Sequence, residues 1–202
     1  MTTRIDILCY DGFDELDAIG PYEVFKTATA FGAPFDVRLV TLTARETVTA
    51  SHGLRVGIDA VLDRSEPADI VVVPGGGWNT RSEQGAWAEA EKGAVPDALV
   101  AVHDAGATVA AVCTGGMLLA RAGLTDGRPA VTHASALSDL RETAAKVVDA
   151  RVVDDGDMLT AGGVTSGLDL ALHLVEREAG AEVATRVATE LEYERRDAVY
   201  GS

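Results

Sequence analysis

Ala107-Thr108-Val109-Ala110-Ala111-Val112-Cys113-Thr114-Gly115-Gly116-Met117-Leu118-Leu119-Ala120 decides the architecture of this chain. An apolar run with β-branched residues stops at a cysteine, and a helix-forming segment starts behind two glycines. That pattern predicts a strand ending at Val112, a sharp turn at Cys113 and a helix reaching Ala122. Gly115 and Gly116 give the backbone room for such a turn. The free N–H groups and positive dipole end of the helix would face the sulfur, which is expected to favour thiolate over thiol. By residue type alone, Cys113 reads as a small core cysteine at the end of a buried strand. The residues around it tip the reading towards chemistry.

Outward from this turn, strand and helix patterns alternate. Arg4 to Tyr10 reads as a first strand, and Gly20-Pro21 as the start of a helix, with proline in the first turn where its missing N–H costs nothing. Phe35 to Leu42 is a second strand. Thr47 to Ser51 and Leu54 to Ile58 form a hairpin around His52-Gly53. Ile70-Val71-Val72-Val73 with Pro74 is short and wholly apolar, as a central parallel strand must be. Helices are expected at Ser82 to Lys92 and Pro96 to Ala105. Pro129 to Thr132 is a further strand, and Arg151 to Val153 with Asp157 to Thr160 a second hairpin around Asp154-Asp155-Gly156. Helices at Ser166 to Glu178 and Ala181 to Glu192 close the chain. The alternation predicts an α/β fold with a mostly parallel central sheet between two helical layers, a three-layer α/β/α sandwich. With no repeat, low-complexity tract or linker, residues 1–202 read as a single domain.

Composition narrows the function. The chain has 202 residues, 32 Asp and Glu against 17 Lys and Arg, and a net charge of −15. Such a charge repels phosphates, so neither nucleic acid nor an anionic membrane is expected as a partner. No apolar run approaches the roughly 18 to 20 residues of a membrane span. There is no secretion-signal core, and Cys9 and Cys113 make neither a disulfide framework nor a zinc site. A cytoplasmic location is the expectation. Lys26, Lys92 and Lys146 are the only lysines. Scarce lysine beside abundant carboxylates suggests a halophile's protein, whose self-repulsion is screened by salt. An acidic protein from a GC-rich genome would look the same.

Three motifs fall where strands end, the place at which open α/β sheets bind ligands. They are Pro74-Gly75-Gly76-Gly77, Cys113-Thr114-Gly115-Gly116 and Ala161-Gly162-Gly163-Val164-Thr165. The first lacks the lysine and spacing of a phosphate loop. It reads either as a bare turn offering N–H groups to developing negative charge or as a turn that needs positive φ. Trp78 follows, to wall a pocket or cap the core. Asp17 lies just after the first strand. Taken alone it is a surface or capping carboxylate. Pressed against the thiol it would have a raised proton affinity and could hold a proton at neutral pH.

Four signatures, in this order, resemble the ThiJ/PfpI superfamily: Leu16-Asp17-Ala18-Ile19-Gly20-Pro21; Val73 to Gly76; Val112-Cys113-Thr114-Gly115 with Ala120 to Leu124 and Thr132-His133; and Leu159 to Asp169. The resemblance covers essentially the whole chain and implies the class I glutamine amidotransferase-like fold, with a strand–nucleophile elbow–helix at Cys113. Within the superfamily, Asp17, Cys113-Thr114-Gly115 and the Gly162 to Asp169 stretch are most similar to the isocyanide hydratases (isonitrile hydratases), which are lyases. The resemblance implies Cys113 as nucleophile, Asp17 as acid and base, and Thr114 beside the sulfur. Backbone at Gly76, Gly77, Gly115 and Val164, with Trp78, would line the pocket of a small-molecule substrate. It implies no cofactor, and a homodimer.

Departures from relatives discriminate further. Thr114 stands where peptidase-like members have a histidine, so a Cys-His dyad is not expected. Asp17 stands where glyoxalase- and deglycase-like members have glutamate, one methylene longer. The stretch after Glu192-Tyr193 lacks the Pro-Pro-Phe of several relatives. His133 reads as a supporting polar contact. His52, His103 and His173 read as surface or partly buried residues, Cys9 as an inert core thiol, and Asp169 as stabilising a helix N-terminus. Another thiol-dependent hydrolase or glyoxalase-like activity, or a cysteine redox sensor without enzymatic activity, remain alternative readings.

Overall fold

The computed structural model describes residues 1–196 and 199–201. In chain order the elements are β1 Thr3–Leu8, α1 Glu15–Ala30, β2 Phe35–Thr41, β3 Thr47–Thr49, β4 Arg55–Gly57, β5 Ala60–Val61, β6 Ile70–Val73, α2 Ala86–Lys92, α3 Ala94–Asp104 and β7 Thr108–Val112. Then come α4 Gly115–Arg121, β8 Pro129–Ala130, a 3-10 turn Ala134–Ala136, α5 Leu137–Arg141, β9 Lys146–Val147, β10 Val152–Asp154, β11 Met158–Ala161, α6 Ser166–Ala179 and α7 Ala181–Glu190. Asp197, Ala198 and Ser202 of the distinctive tail lie outside the described residues.

Among the described residues seven strands form the central sheet in the order β10-β11-β7-β6-β1-β2-β5, and of these only β10 runs antiparallel. Helices α1, α6 and α7 pack together, and α2, α3 and α4 form a second group. This is the expected three-layer α/β/α arrangement. Strand β6 is buried along its whole length, as its unbroken apolar sequence required. The two expected hairpins form: β3 with β4 as a separate ribbon, and β10 with β11 on the sheet edge. Pro129–Ala130 instead pairs with Lys146–Val147 in a small sheet of its own. Among the described residues no helix is long and apolar enough to cross a membrane.

Register places the site. Val73 lies opposite Ala111, and Val112 opposite Ala161. The loops leaving β6, β7 and β11 therefore begin at the same height, so the three glycine-rich motifs meet at one end of the sheet.

Helix α1 departs from expectation. It begins at Glu15, not Gly20, and Asp14 caps it by accepting the Leu16 N–H at 3.2 Å. Pro21 thus falls inside the helix. Its missing N–H leaves the Asp17 carbonyl without the usual intrahelical donor. Packing tolerates this: Gly20, Pro21 and Gly167 let α1 and α6 approach closely, and a Cβ on Gly167 would come within 2.9 Å of Val112. The earlier start matters for function, because it puts Asp17 on a rigid first turn. The second departure is α2, four residues shorter than expected at its start.

Candidate active site

Cys113 is the one residue of its loop held at φ 57°, a left-handed conformation that a side chain resists. The strain is of the order of 1 to 2 kcal/mol. Several bonds hold it. Cys113 N–H donates to Ala161 O at 3.1 Å, while Cys113 O accepts from Thr132 Oγ1 at 2.9 Å and from Gly116 N–H at 3.2 Å. Two glycines let the loop from β6 close over the turn. A Cβ on Gly75 would sit 2.8 Å from Gly115 N, and one on Gly115 would sit 2.9 Å from Pro74 O.

Asp17 is completely buried and Cys113 is 6% exposed. The carboxyl and the thiol lie near enough that each alters the other's proton affinity. Asp17 Oδ2 accepts from Gly75 N–H at 2.9 Å. Asp17 Oδ1 makes no conventional hydrogen bond among the described residues. Burial pushes the Asp17 carboxyl from 3.8 to about 8, and the charge of Asp14 adds to this; the Gly75 N–H and the Cys113 thiol pull the other way. Burial likewise pushes the Cys113 thiol upward, followed by repulsion from Asp17 and opposed by the Thr114 backbone N–H. The sequence led us to expect an acidified thiol. Helix α4 has only seven residues and a partial charge at its end, whereas desolvation acts on the whole sulfur charge. Burial wins, and the resting pair holds protons tightly.

The other expected residues take distinct places. Thr114 Oγ1 accepts the Gly76 N–H at 2.9 Å, so that donor braces the loop against the elbow. Gly77 borders a cavity of about 410 Å³ together with Gly12, Ser51, Ser82 and Gln84. Trp78 is buried; its indole N–H donates to Asp139 Oδ2 at 2.7 Å and its ring meets Trp87 edge-on at 5.1 Å. It therefore fixes the loop's exit to α5 and caps the core. Val164 is partly buried in the turn before α6, where its carbonyl accepts the Gly167 N–H at 3.4 Å. His133 accepts the Ser135 N–H at Nδ1 (3.2 Å), which assigns its proton to Nε2. It stabilises the 3-10 turn, and its neighbour Thr132 makes the contact to the elbow.

Asp169 does more than complement a helix end. It binds Arg151 Nε at 2.6 Å, Tyr193 Oη at 2.8 Å and the Arg196 N–H at 3.0 Å, tying the tail to α6. Cys9 is buried in the core, and burial pushes its thiol up to about 12.

Two contributors escaped the sequence reading. Gly75 supplies the N–H to Asp17. Tyr10 is buried beside the pair and donates its hydroxyl to Pro74 O. The available signal was a phenol closing the buried run Ile7-Leu8-Cys9, since a buried tyrosine hydroxyl needs a partner.

Comparison with known proteins identifies the family. The DJ-1/PfpI family model matches residues 3–177. The chain is 33% identical to an isonitrile hydratase of Pseudomonas putida over 96% of this chain and 79% of that protein. It is 30% identical to the HTH-type transcriptional regulator GbdR of Pseudomonas aeruginosa over 95% of this chain, which spans 51% of that protein. Among solved structures, DJ-1beta of Drosophila melanogaster superposes with a TM-score of 0.82 at 26% identity, covering 96% of this chain and 100% of that one. On sequence and structure together, the chain belongs to the DJ-1/PfpI family.

Proposed function

We propose that this protein hydrates isonitriles to N-substituted formamides, with Cys113 as nucleophile and Asp17 as the acid and base. The observation that carries the reading is the buried Asp17 carboxyl set against the Cys113 thiol at a strained elbow. The similarity to an isonitrile hydratase supports it.

The pair enters the reaction with one proton between its two groups: Asp17 ionises first and then takes the thiol proton, so that thiolate and carboxylic acid meet the substrate. The thiolate attacks the terminal carbon of R–N≡C, forming an S–C bond, and the Asp17 proton goes to that carbon. The product is a thioimidate, R–N=CH–S–Cys113. Asp17, now ionised, takes a proton from water as its oxygen adds to the carbon, then gives that proton to nitrogen. Collapse breaks the C–S bond, returns the hydroxyl proton to Asp17 and releases R–NH–CHO. One carboxyl thus changes role between steps. The Thr114 N–H favours the thiolate each time it forms. Because burial leaves both groups protonated near neutrality, one proton must leave first. Turnover should climb with pH into the region near 8 where Asp17 ionises.

A glyoxalase-like reaction on the same thiol is the other enzyme class to test. We further propose that the active form is a homodimer. An apolar hollow lined by Leu16, Ile19, Gly20 and Leu168 adjoins Asp17, and Leu16 is 38% exposed there. Loss of the isonitrile infrared band with formamide appearing by NMR would support the reaction. No turnover of several alkyl and aryl isonitriles, with lactate formed from methylglyoxal, would replace it by the alternative.

A further inference from the structure

One peptide group links Tyr10 to the reactive pair. The carbonyl of Pro74 accepts the Tyr10 hydroxyl, and the N–H of the same peptide unit, on Gly75, donates to Asp17 Oδ2 at 2.9 Å. The peptide is trans, so these two bonds leave opposite edges of one plane. A donor on the carbonyl side draws electrons towards oxygen and makes the N–H a stronger donor. The phenol therefore acts on the carboxylate without touching it. The same hydroxyl lies 3.4 Å from Gly75 O, which also accepts the Asp14 N–H at 2.9 Å, so the whole turn is pinned.

We propose that Tyr10 is a positioning residue for the Asp17–Cys113 pair, acting through the Pro74–Gly75 peptide group. The inference rests on the catalytic roles assigned to that pair, but its action on the pair's protons does not depend on which substrate is used. Asp14 faces Asp17 from the start of α1 and Cys113 faces it from the elbow. The charges of Asp17, Glu89, Cys113 and Cys9 act on Tyr10, whose own proton is held firmly by burial. Tyr10 thus acts as a neutral donor throughout the working pH range. Removing it weakens the Gly75 bond to ionised Asp17 and shifts the pair's ionisation to higher pH.

The test is Tyr10→Phe, which keeps the ring. Cys113 alkylation by iodoacetamide is followed from pH 6 to 10 by peptide mass spectrometry, with isonitrile turnover measured in parallel. We expect the rising limb of both profiles to move up by about half a pH unit, roughly a threefold loss on the acid side that narrows as pH rises. Superimposable alkylation profiles would overturn the proposal. If the wild type alkylates with the expected limb but turns over no isonitrile, the substrate assignment fails while the Tyr10 comparison still decides. Should Tyr10→Phe not fold, site-specific 3-fluorotyrosine at position 10 strengthens the donor and must move the limb down. An unmoved limb there also overturns the proposal.

Discussion

Asp17→Asn should stabilise the fold while abolishing turnover, and the gain should depend on pH. The folded protein holds the Asp17 proton up to about pH 8, whereas the unfolded chain releases it near 3.8. Between those values the native state binds more protons than the unfolded one. The Asp17 contribution to stability therefore falls as pH rises through that window and is level on either side. A shift of about four units, at about 1.4 kcal/mol each, sets a ceiling of about 5 to 6 kcal/mol. Partial relaxation around a buried charge reduces this, so we expect about 2 to 5 kcal/mol at pH 8. Asparagine keeps an acceptor for the Gly75 N–H and has no proton to lose. Urea unfolding of both chains, followed by circular dichroism from pH 4 to 9, isolates the effect. The difference should be near zero at pH 4, grow through the window and plateau above pH 8. A difference that does not vary with pH would refute the burial argument.

Gly75→Ala should cost about 2 to 3 kcal/mol by overpacking, because its Cβ would lie 2.8 Å from Gly115 N; turnover should fall at least about tenfold. Unchanged melting temperature and rate would show that the two loops need not touch. Thr132→Val removes the 2.9 Å bond to Cys113 O and should cost about 1 to 2 kcal/mol in urea unfolding, with slower turnover from a looser elbow. With a net charge of −15, the protein should melt at higher temperature as KCl rises to molar concentration, and a flat curve would end the high-salt reading.

The elbow was legible because three independent signals coincide there: an apolar β-branched run, a cysteine at its end and two glycines behind it. Strand β6 was legible because four consecutive buried aliphatics suit nothing else of that length. Helix α1 was misplaced for a physical reason. Gly20-Pro21 carries the local signs of a helix start, but Asp14 provides the cap, and packing of α1 on α6 outweighs the bond that Pro21 forfeits. The short strands β5 and β9 depend on partners brought from elsewhere, so two residues of pattern could not announce them, and β8 was named as a strand without its partner. The same division holds within the site. Cys113 and Asp17 could be named from motifs. Their protonation could not, because desolvation depends on what covers them, and no local pattern reports that. Gly75 and Tyr10 are contributors of a backbone N–H and a remote hydroxyl, and such roles exist only once the loop has folded.

The most direct measurement of the central claim is rapid-quench, peptide-resolved mass spectrometry of Cys113 during turnover of an isonitrile. The account predicts an adduct equal to the mass of the isonitrile, on Cys113 alone, that appears before the formamide and then decays. Formamide production with Cys113 unmodified at every time point, or undiminished in Cys113→Ala, would contradict it.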